Sequence, residues 1–157
     1  MEKQKLPDFM ALCMGWEQLR PGQKAELRRV GTPGELIVTP AFYCLFSGVA
    51  TQEWAKQAYQ RLIFCLPCIR HTDEDVGLGK ALAKGKGVSE KRLFQVVRSA
   101  PPNDMIQLRR ILQMVAPIVN WPKTATLLWY WNERSKRDLL EEYFMNRTKP
   151  TNVEKKG

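Results

Sequence analysis

Cys65, Cys68 and His71 are the residues whose types and spacing come nearest to a reactive centre. Two thiols in a CxxC arrangement with an imidazole just beyond could supply three zinc ligands. A structural zinc site takes four, however, and only Cys13 or Cys44, far away in the chain, could be the fourth. The simpler reading places Cys65 on the core face of a helix and Cys68 at its exit, with His71 hydrogen-bonded locally and no metal bound. A dithiol redox role belongs beside a βαβ unit, and the sequence offers none. Downstream, Asp73-Glu74-Asp75 could present carboxylates to a metal, but three adjacent loop residues point in different directions. Acidic charge ahead of a helix has its own electrostatic use. Gly77-Leu78-Gly79-Lys80 and Gly85-Lys86-Gly87 invite comparison with a phosphate loop, yet that motif is GxxxxGK[ST] after a strand, and Ala81 stands where Ser or Thr would hold magnesium. The single histidine defines no nucleophile and base. No catalytic residue, no metal and no cofactor is expected.

The remaining chemistry is electrostatic. Residues 77–114 hold eight bases (Lys80, Lys84, Lys86, Lys91, Arg92, Arg98, Arg109, Arg110) against Glu90 and Asp104, which is six of the chain's nine net positive charges. Wound at helical pitch, 89–99 puts Leu93, Phe94, Val96 and Val97 on one side and Lys91, Arg92, Gln95 and Arg98 on the other. The segment 104–115 repeats the pattern: Met105, Leu108, Ile111, Leu112 and Val115 form the stripe, with Arg109, Arg110 and Gln113 off it. Pro101-Pro102 separates the two helices, and Asn103 is placed to cap the second. A solvated helix face mixes signs, and this one does not. The pI of about 9.6 implies a polyanionic partner, either nucleic acid or an anionic membrane surface.

The elements that must position these bases are helical throughout. A helix over 8–19 carries Phe9, Leu12, Cys13, Trp16 and Leu19 on one stripe and stops at Pro21-Gly22. A second, over 23–30, ends in Arg28-Arg29, where cations suit a helix C-terminus. Leu36-Ile37-Val38 reads as an ordered loop, because no partner strand follows it. Pro40 opens a short helix through Phe46, Ser47-Gly48 breaks it, and Thr51 caps a longer one to about Leu66. The stretch 69–76 reads as a loop and 78–84 as a short helix capped by its glycines. Asn120-Trp121-Pro122 starts a helix that runs to Asn132, and a last helix spans about 134–145, with Leu139, Leu140, Tyr143 and Phe144 buried and Arg137 paired with Glu141. Trp129-Tyr130-Trp131 could stack bases, but neighbours on a helix diverge by about 100°, so packing is the better reading.

These elements make one all-α domain over 1–148, a compact bundle of about eight helices with lobes roughly 1–66 and 76–147, followed by a tail, 149–157, expected to be disordered. The longest apolar run, 62–69, is far shorter than a membrane span needs. Four cysteines are too few for a disulfide scaffold, and the N-terminus lacks a signal peptide's apolar core, so a cytoplasmic protein is expected.

The runs Ile69-Arg70-His71, Gly77-Leu78-Gly79-Lys80-Ala81-Leu82-Ala83, Ser89-Glu90-Lys91-Arg92-Leu93-Phe94-Gln95 and Met105-Ile106-Gln107-Leu108-Arg109-Arg110-Ile111-Leu112 resemble the small subunit of Cascade, the type I-E CRISPR surveillance complex. The likeness extends to Arg28-Arg29-Val30, Pro40-Ala41-Phe42-Tyr43, Asn120-Trp121-Pro122 and Leu139-Leu140-Glu141-Glu142-Tyr143-Phe144, and so covers nearly the whole chain. The resemblance implies an all-helical, non-catalytic subunit, present as two copies head to tail in a complex that carries a CRISPR RNA. It would touch the repeated backbone subunits and the large subunit, and would hold the displaced non-target strand of the target DNA so that the R-loop stays open. Arg29, Arg92, Arg98 and Arg110 stand at positions resembling the family's nucleic-acid contacts. Lys91, Arg109, Arg28, Lys80 and Lys84 are further candidates. Lys80 replaces an Arg of the relatives, which keeps the charge and loses bidentate phosphate geometry. The loop 67–76 is shorter than in the family and carries Cys68 in place of a Gly-rich stretch, so the resemblance assigns it no contact. Phosphate contacts without base reading suit such a role, because R-loop formation is a near-balanced exchange that a few kcal/mol can tip. The competing reading of the same residues is a stand-alone basic helix-turn-helix regulator built on 89–115, which would bind as a symmetric dimer and discriminate sequence.

Overall fold

The computed structural model describes residues 6–46, 53–85 and 88–147. Thr51, the Ser47-Gly48 break, Lys86-Gly87 and the 149–157 tail, on which expectations were placed, lie outside the described residues. In chain order the structure runs through α1 (Phe9–Gln18), α2 (Pro21–Arg29), a 3-10 helix (Pro33–Val38), α3 (Pro40–Phe46), α4 (Glu53–Cys65), a 3-10 turn (Leu66–Cys68), β1 (Arg70–His71), α5 (Leu78–Lys84), α6 (Glu90–Arg98), α7 (Asn103–Val115), β2 (Ile118–Val119), α8 (Trp121–Tyr130) and α9 (Glu133–Met145). The fold is predominantly all-α, as expected.

Helix starts follow capping chemistry. Asp8 Oδ1 accepts from the Ala11 amide at 3.0 Å, Ser89 Oγ from Arg92 at 3.1 Å, Asn120 Oδ1 from Lys123 at 3.1 Å and Asn132 Oδ1 from Ser135 at 2.8 Å. Each satisfies one of the amides that a helix leaves without an internal partner. The start of α7 departs from expectation. Asn103 is its first residue rather than its cap, and the carboxylate drawn in is that of Asp104, which is buried.

Two short segments are also not as expected. Leu36-Ile37-Val38 falls within the 3-10 helix, whose Leu36 is fully buried while Val38 faces solvent. The 69–76 stretch contains β1, paired in parallel with β2 in the register Arg70 to Ile118 and His71 to Val119. Strands two residues long show no period in the sequence. Here the pairing extends through single bonds, Thr72 N to Val119 O at 2.8 Å and Asn120 N to Val76 O at 2.8 Å.

Apolar side chains from Phe9 to Tyr143 form one buried cluster, with Trp121, Tyr143, Phe42 and Phe64 its largest fully buried members. Around it α5 packs on α9, α6 on α7, and α4 on α8. The close approach of α5 to α9 needs Gly79: a Cβ there would lie 2.6 Å from Glu142 Cβ and 2.9 Å from the Leu139 carbonyl. The Gly79 amide donates to Glu142 Oε1 at 3.2 Å. The glycines of this stretch therefore serve packing within the chain.

Candidate nucleic-acid interface

Burial divides the arginines into two groups. Arg61 and Arg109 are turned inward onto helix C-termini. Arg61 donates to the carbonyls of Leu128 at 2.7 Å and Trp129 at 2.6 Å, at the end of α8. Desolvation lowers its pKa from the usual guanidinium value, with Asp104 acting in the opposite direction. Arg109, 3% exposed, donates from its two terminal nitrogens to the carbonyls of Leu27, Arg28 and Val30, and its guanidinium lies 4.3 Å from the Phe64 ring centroid. The last carbonyls of a helix carry partial negative charge and lack amide partners, so a planar fork of donors fits them. This corrects the expectation for Arg109, whose guanidinium is occupied inside the fold and is not on the basic surface. Helical phase put it off the apolar stripe, but α2 covers that side of α7.

Arg28, Arg29, Arg92, Arg98 and Arg110 are exposed, as are Lys84 and Lys91. None of them is held in an ion pair among the described residues. Arg98 lies over the Phe94 ring at 4.8 Å and Arg28 over Trp16 at 5.2 Å, which fixes their stems and leaves the charge at the surface. Arg29 ends α2, Arg92 and Arg98 lie on α6, and Arg110 lies on α7. The fold joins these three helices: α6 packs on α7, and Arg109 ties α7 to the end of α2. Lys80 and Lys84, one turn apart on α5, share an open cleft with Val115 and Ile118. Lys80 is half-buried there.

Sequence reasoning missed Arg70. It is exposed on β1 and lines a pocket of about 290 Å³ together with Arg28, Arg109, Cys68 and Gln113. No sequence pattern could have found it, since the pocket is assembled from segments about 40 residues apart.

The other candidate chemistry is taken up by structure. Cys65 is fully buried, its Sγ 3.5 Å from Met105 Sδ, and burial pushes its thiol pKa well up. His71 Nδ1 accepts from the Trp121 amide at 3.0 Å, and Nε2 meets Asp73 Oδ1 at 2.8 Å, so both ring nitrogens are engaged. No three His, Cys, Asp or Glu side chains gather in metal-binding range among the described residues. Asp75 pairs with Lys123 at 2.7 Å, and that hydrogen bond holds its carboxyl below the ordinary value. Trp129 packs edge-on against Phe9, Trp54 and Tyr59, and Trp131 donates to Asp104 Oδ2 at 3.0 Å. Only Tyr130 of the aromatic triplet is open to solvent, at 54%. Phe144, expected in the core, is 37% exposed at its edge. No helix of the described residues is long and apolar enough to cross a membrane.

Known proteins resemble this chain in sequence and in fold. The Cascade subunit CasB of Escherichia coli (strain K12) is 38% identical over 153 residues, spanning 90% of this chain and 96% of the relative. A chain in the crystal structure of E. coli Cascade bound to a PAM-containing dsDNA target superposes with a TM-score of 0.86 at 39% identity, over 90% of this chain and 97% of that one. CasB from Thermus thermophilus shares the fold, with a TM-score of 0.68 at 14% identity over 88% and 99% of the two chains. Residues 23–144 match the model of CRISPR-associated protein Cse2, and with most of its length so matched the chain belongs to the Cse2 family.

Proposed function

We propose that this chain is the small subunit of a type I-E Cascade and that it works by binding rather than by chemistry. It would hold nucleic-acid backbone, including the displaced non-target strand, and so bias an R-loop toward the open state. The observation that carries this reading is the set of exposed arginines Arg29, Arg92, Arg98 and Arg110, none in an ion pair among the described residues, on the packed helices α6 and α7 and on α2, which Arg109 ties to α7, in a chain so similar to a Cascade subunit. Guanidinium groups free of carboxylates are available to phosphates, and phosphate contacts give affinity without sequence preference. Lys91 adds charge on α6, Lys84 and Lys80 add it on α5, and Arg28 adds a further guanidinium next to Arg29 in sequence. The partners are then a CRISPR RNA, target DNA, the backbone and large subunits, and a second copy of this chain head to tail, with the exposed Tyr130 end of α8 a candidate for that contact.

The regulator reading fares worse on the same helices. A recognition helix reads bases with the side chains it projects into the major groove. On α7 one of the two arginines is consumed by α2, which leaves Arg110 and Gln113.

Co-purification tests the proposal. Tagged protein expressed in its native cell should bring down a guide RNA and the other Cascade subunits. Recovery of the chain alone, or as a tight symmetric dimer that selects one DNA sequence, would sink it.

A further inference from the structure

Arg28, Arg70 and Arg109 arrive from the last turn of α2, from β1 and from the middle of α7, and with Pro67, Cys68 and Gln113 they line a single pocket of about 290 Å³. No carboxylate lines it, and none of the three guanidinium groups is in an ion pair among the described residues. Arg109 forms the buried wall. Its terminal nitrogens are taken up by α2 carbonyls, but its Nε–H is buried without an acceptor. Backbone dipoles offset only part of a buried guanidinium charge, and a buried donor with no partner is costly in itself. Two further arginines among the lining residues, both exposed, raise the local potential. Arg28 is steadied by Trp16, at 5.2 Å, and Arg70 is exposed on a strand held by the β1–β2 pairing. The arrangement is concave, rigid on one side, cationic and free of competing acids. The ligand that satisfies it is a compact oxyanion, whose several oxygens match guanidinium forks and an amide donor from Gln113.

We propose that this pocket binds one phosphate group. Arg28, Arg70 and Gln113 close on its oxygens, and Arg109 supplies a fixed charge from the buried wall. The inference rests on the reading of the protein as a nucleic-acid binder only for the source of that phosphate. Arg29 and Arg110 leave from the same two helices as Arg28 and Arg109, which makes a strand held at the surface one source of that phosphate.

Cys68, in the pocket, and Cys44, exposed elsewhere, make the test internal. The intact free chain is alkylated at constant ionic strength and the two sites are followed by peptide mass spectrometry. Inorganic phosphate, a 5′-phosphorylated oligothymidylate and its unphosphorylated counterpart are compared. The expected result is a saturable slowing at Cys68 with Cys44 unchanged. The Arg70→Ala variant should need about tenfold more ligand for the same protection, the loss of one charge-assisted hydrogen bond. Protection by inorganic phosphate identifies a general phosphate site. Protection by only the phosphorylated oligonucleotide identifies a strand end, and equal protection by both oligonucleotides identifies a backbone phosphodiester. Isothermal titration of the same three ligands into wild type and Arg70→Ala gives the comparison without relying on the thiol. Absence of saturable binding by all three ligands, or binding unchanged in Arg70→Ala, overturns the pocket. With no other Cascade subunit present, a pocket that fails while both oligonucleotides still bind leaves the proposed function standing, and a failed co-purification leaves the pocket standing.

Discussion

Asp104 and Lys136 meet at 3.0 Å with almost no solvent around them, their side chains 2% and 9% exposed. Asp104 Oδ2 also accepts the Trp131 indole N–H at 3.0 Å, and Lys136 Nζ donates to the Ser99 carbonyl at 3.2 Å. One buried ionic node thus fixes the start of α7 against the end of α8 and the first turn of α9. Lys136→Met leaves the carboxylate buried without its cation and should cost about 3–5 kcal/mol. The double variant Asp104→Asn, Lys136→Met should cost less than the sum of the two single changes, because neither charge is stranded. Urea unfolding of the four proteins checks this; additive effects would mean that the pair is not coupled.

Arg109 and Arg110 are neighbours in sequence with opposite tasks. Arg109→Ala deprives three carbonyls of a donor and opens a space beside Phe64, so a loss of about 3 kcal/mol or more is expected. Arg109→Lys should restore little, since one ammonium cannot span the same acceptors. Arg110→Ala should lie within about 0.5 kcal/mol of wild type, as surface changes usually do. Equal stability of the two Ala variants would contradict the burial of Arg109.

At Gly79 the ordinary helix rule reverses. Replacing an interior helical Gly by Ala normally stabilises by up to about 1 kcal/mol. Here the new Cβ meets the α9 backbone, so Gly79→Ala should destabilise by about 1–3 kcal/mol through overpacking. Thermal unfolding reads the sign directly, and a raised midpoint would show that α5 and α9 can separate without cost.

The surface arginines are tested together. Changing Arg29, Arg92, Arg98 and Arg110 to Ala should preserve the helical spectrum, since all four are exposed. If each neutralises one phosphate of a single strand, the slope of log K against log salt falls by roughly 0.7 per contact, or about 3 in all. The weakening should be nearly equal for unrelated sequences. A folded quadruple variant with unchanged affinity and slope would reduce these residues to a solvated face.

Helix positions, the apolar stripes and the concentration of positive charge in 77–114 were legible in the sequence, because each is a local property: a period, a capping side chain or a count of charges. Asp8, Ser89 and Asn120 open segments read as helical and act within a few residues of themselves, whereas Asn103, read as a cap, is the first residue of α7. Only the tertiary structure decided which cations are surface. Helical phase cannot distinguish Arg109 from Arg110 when the element covering one of them, α2, lies some 80 residues away. The same holds for Asp104, drawn inward by Trp131 and Lys136, and for the pairing of β1 with β2, too short to leave a period. The pocket that gathers Arg28, Arg70 and Arg109 depends on three separate segments meeting, and such long-range contacts are specified by the packing of the whole chain rather than by any one stretch of it.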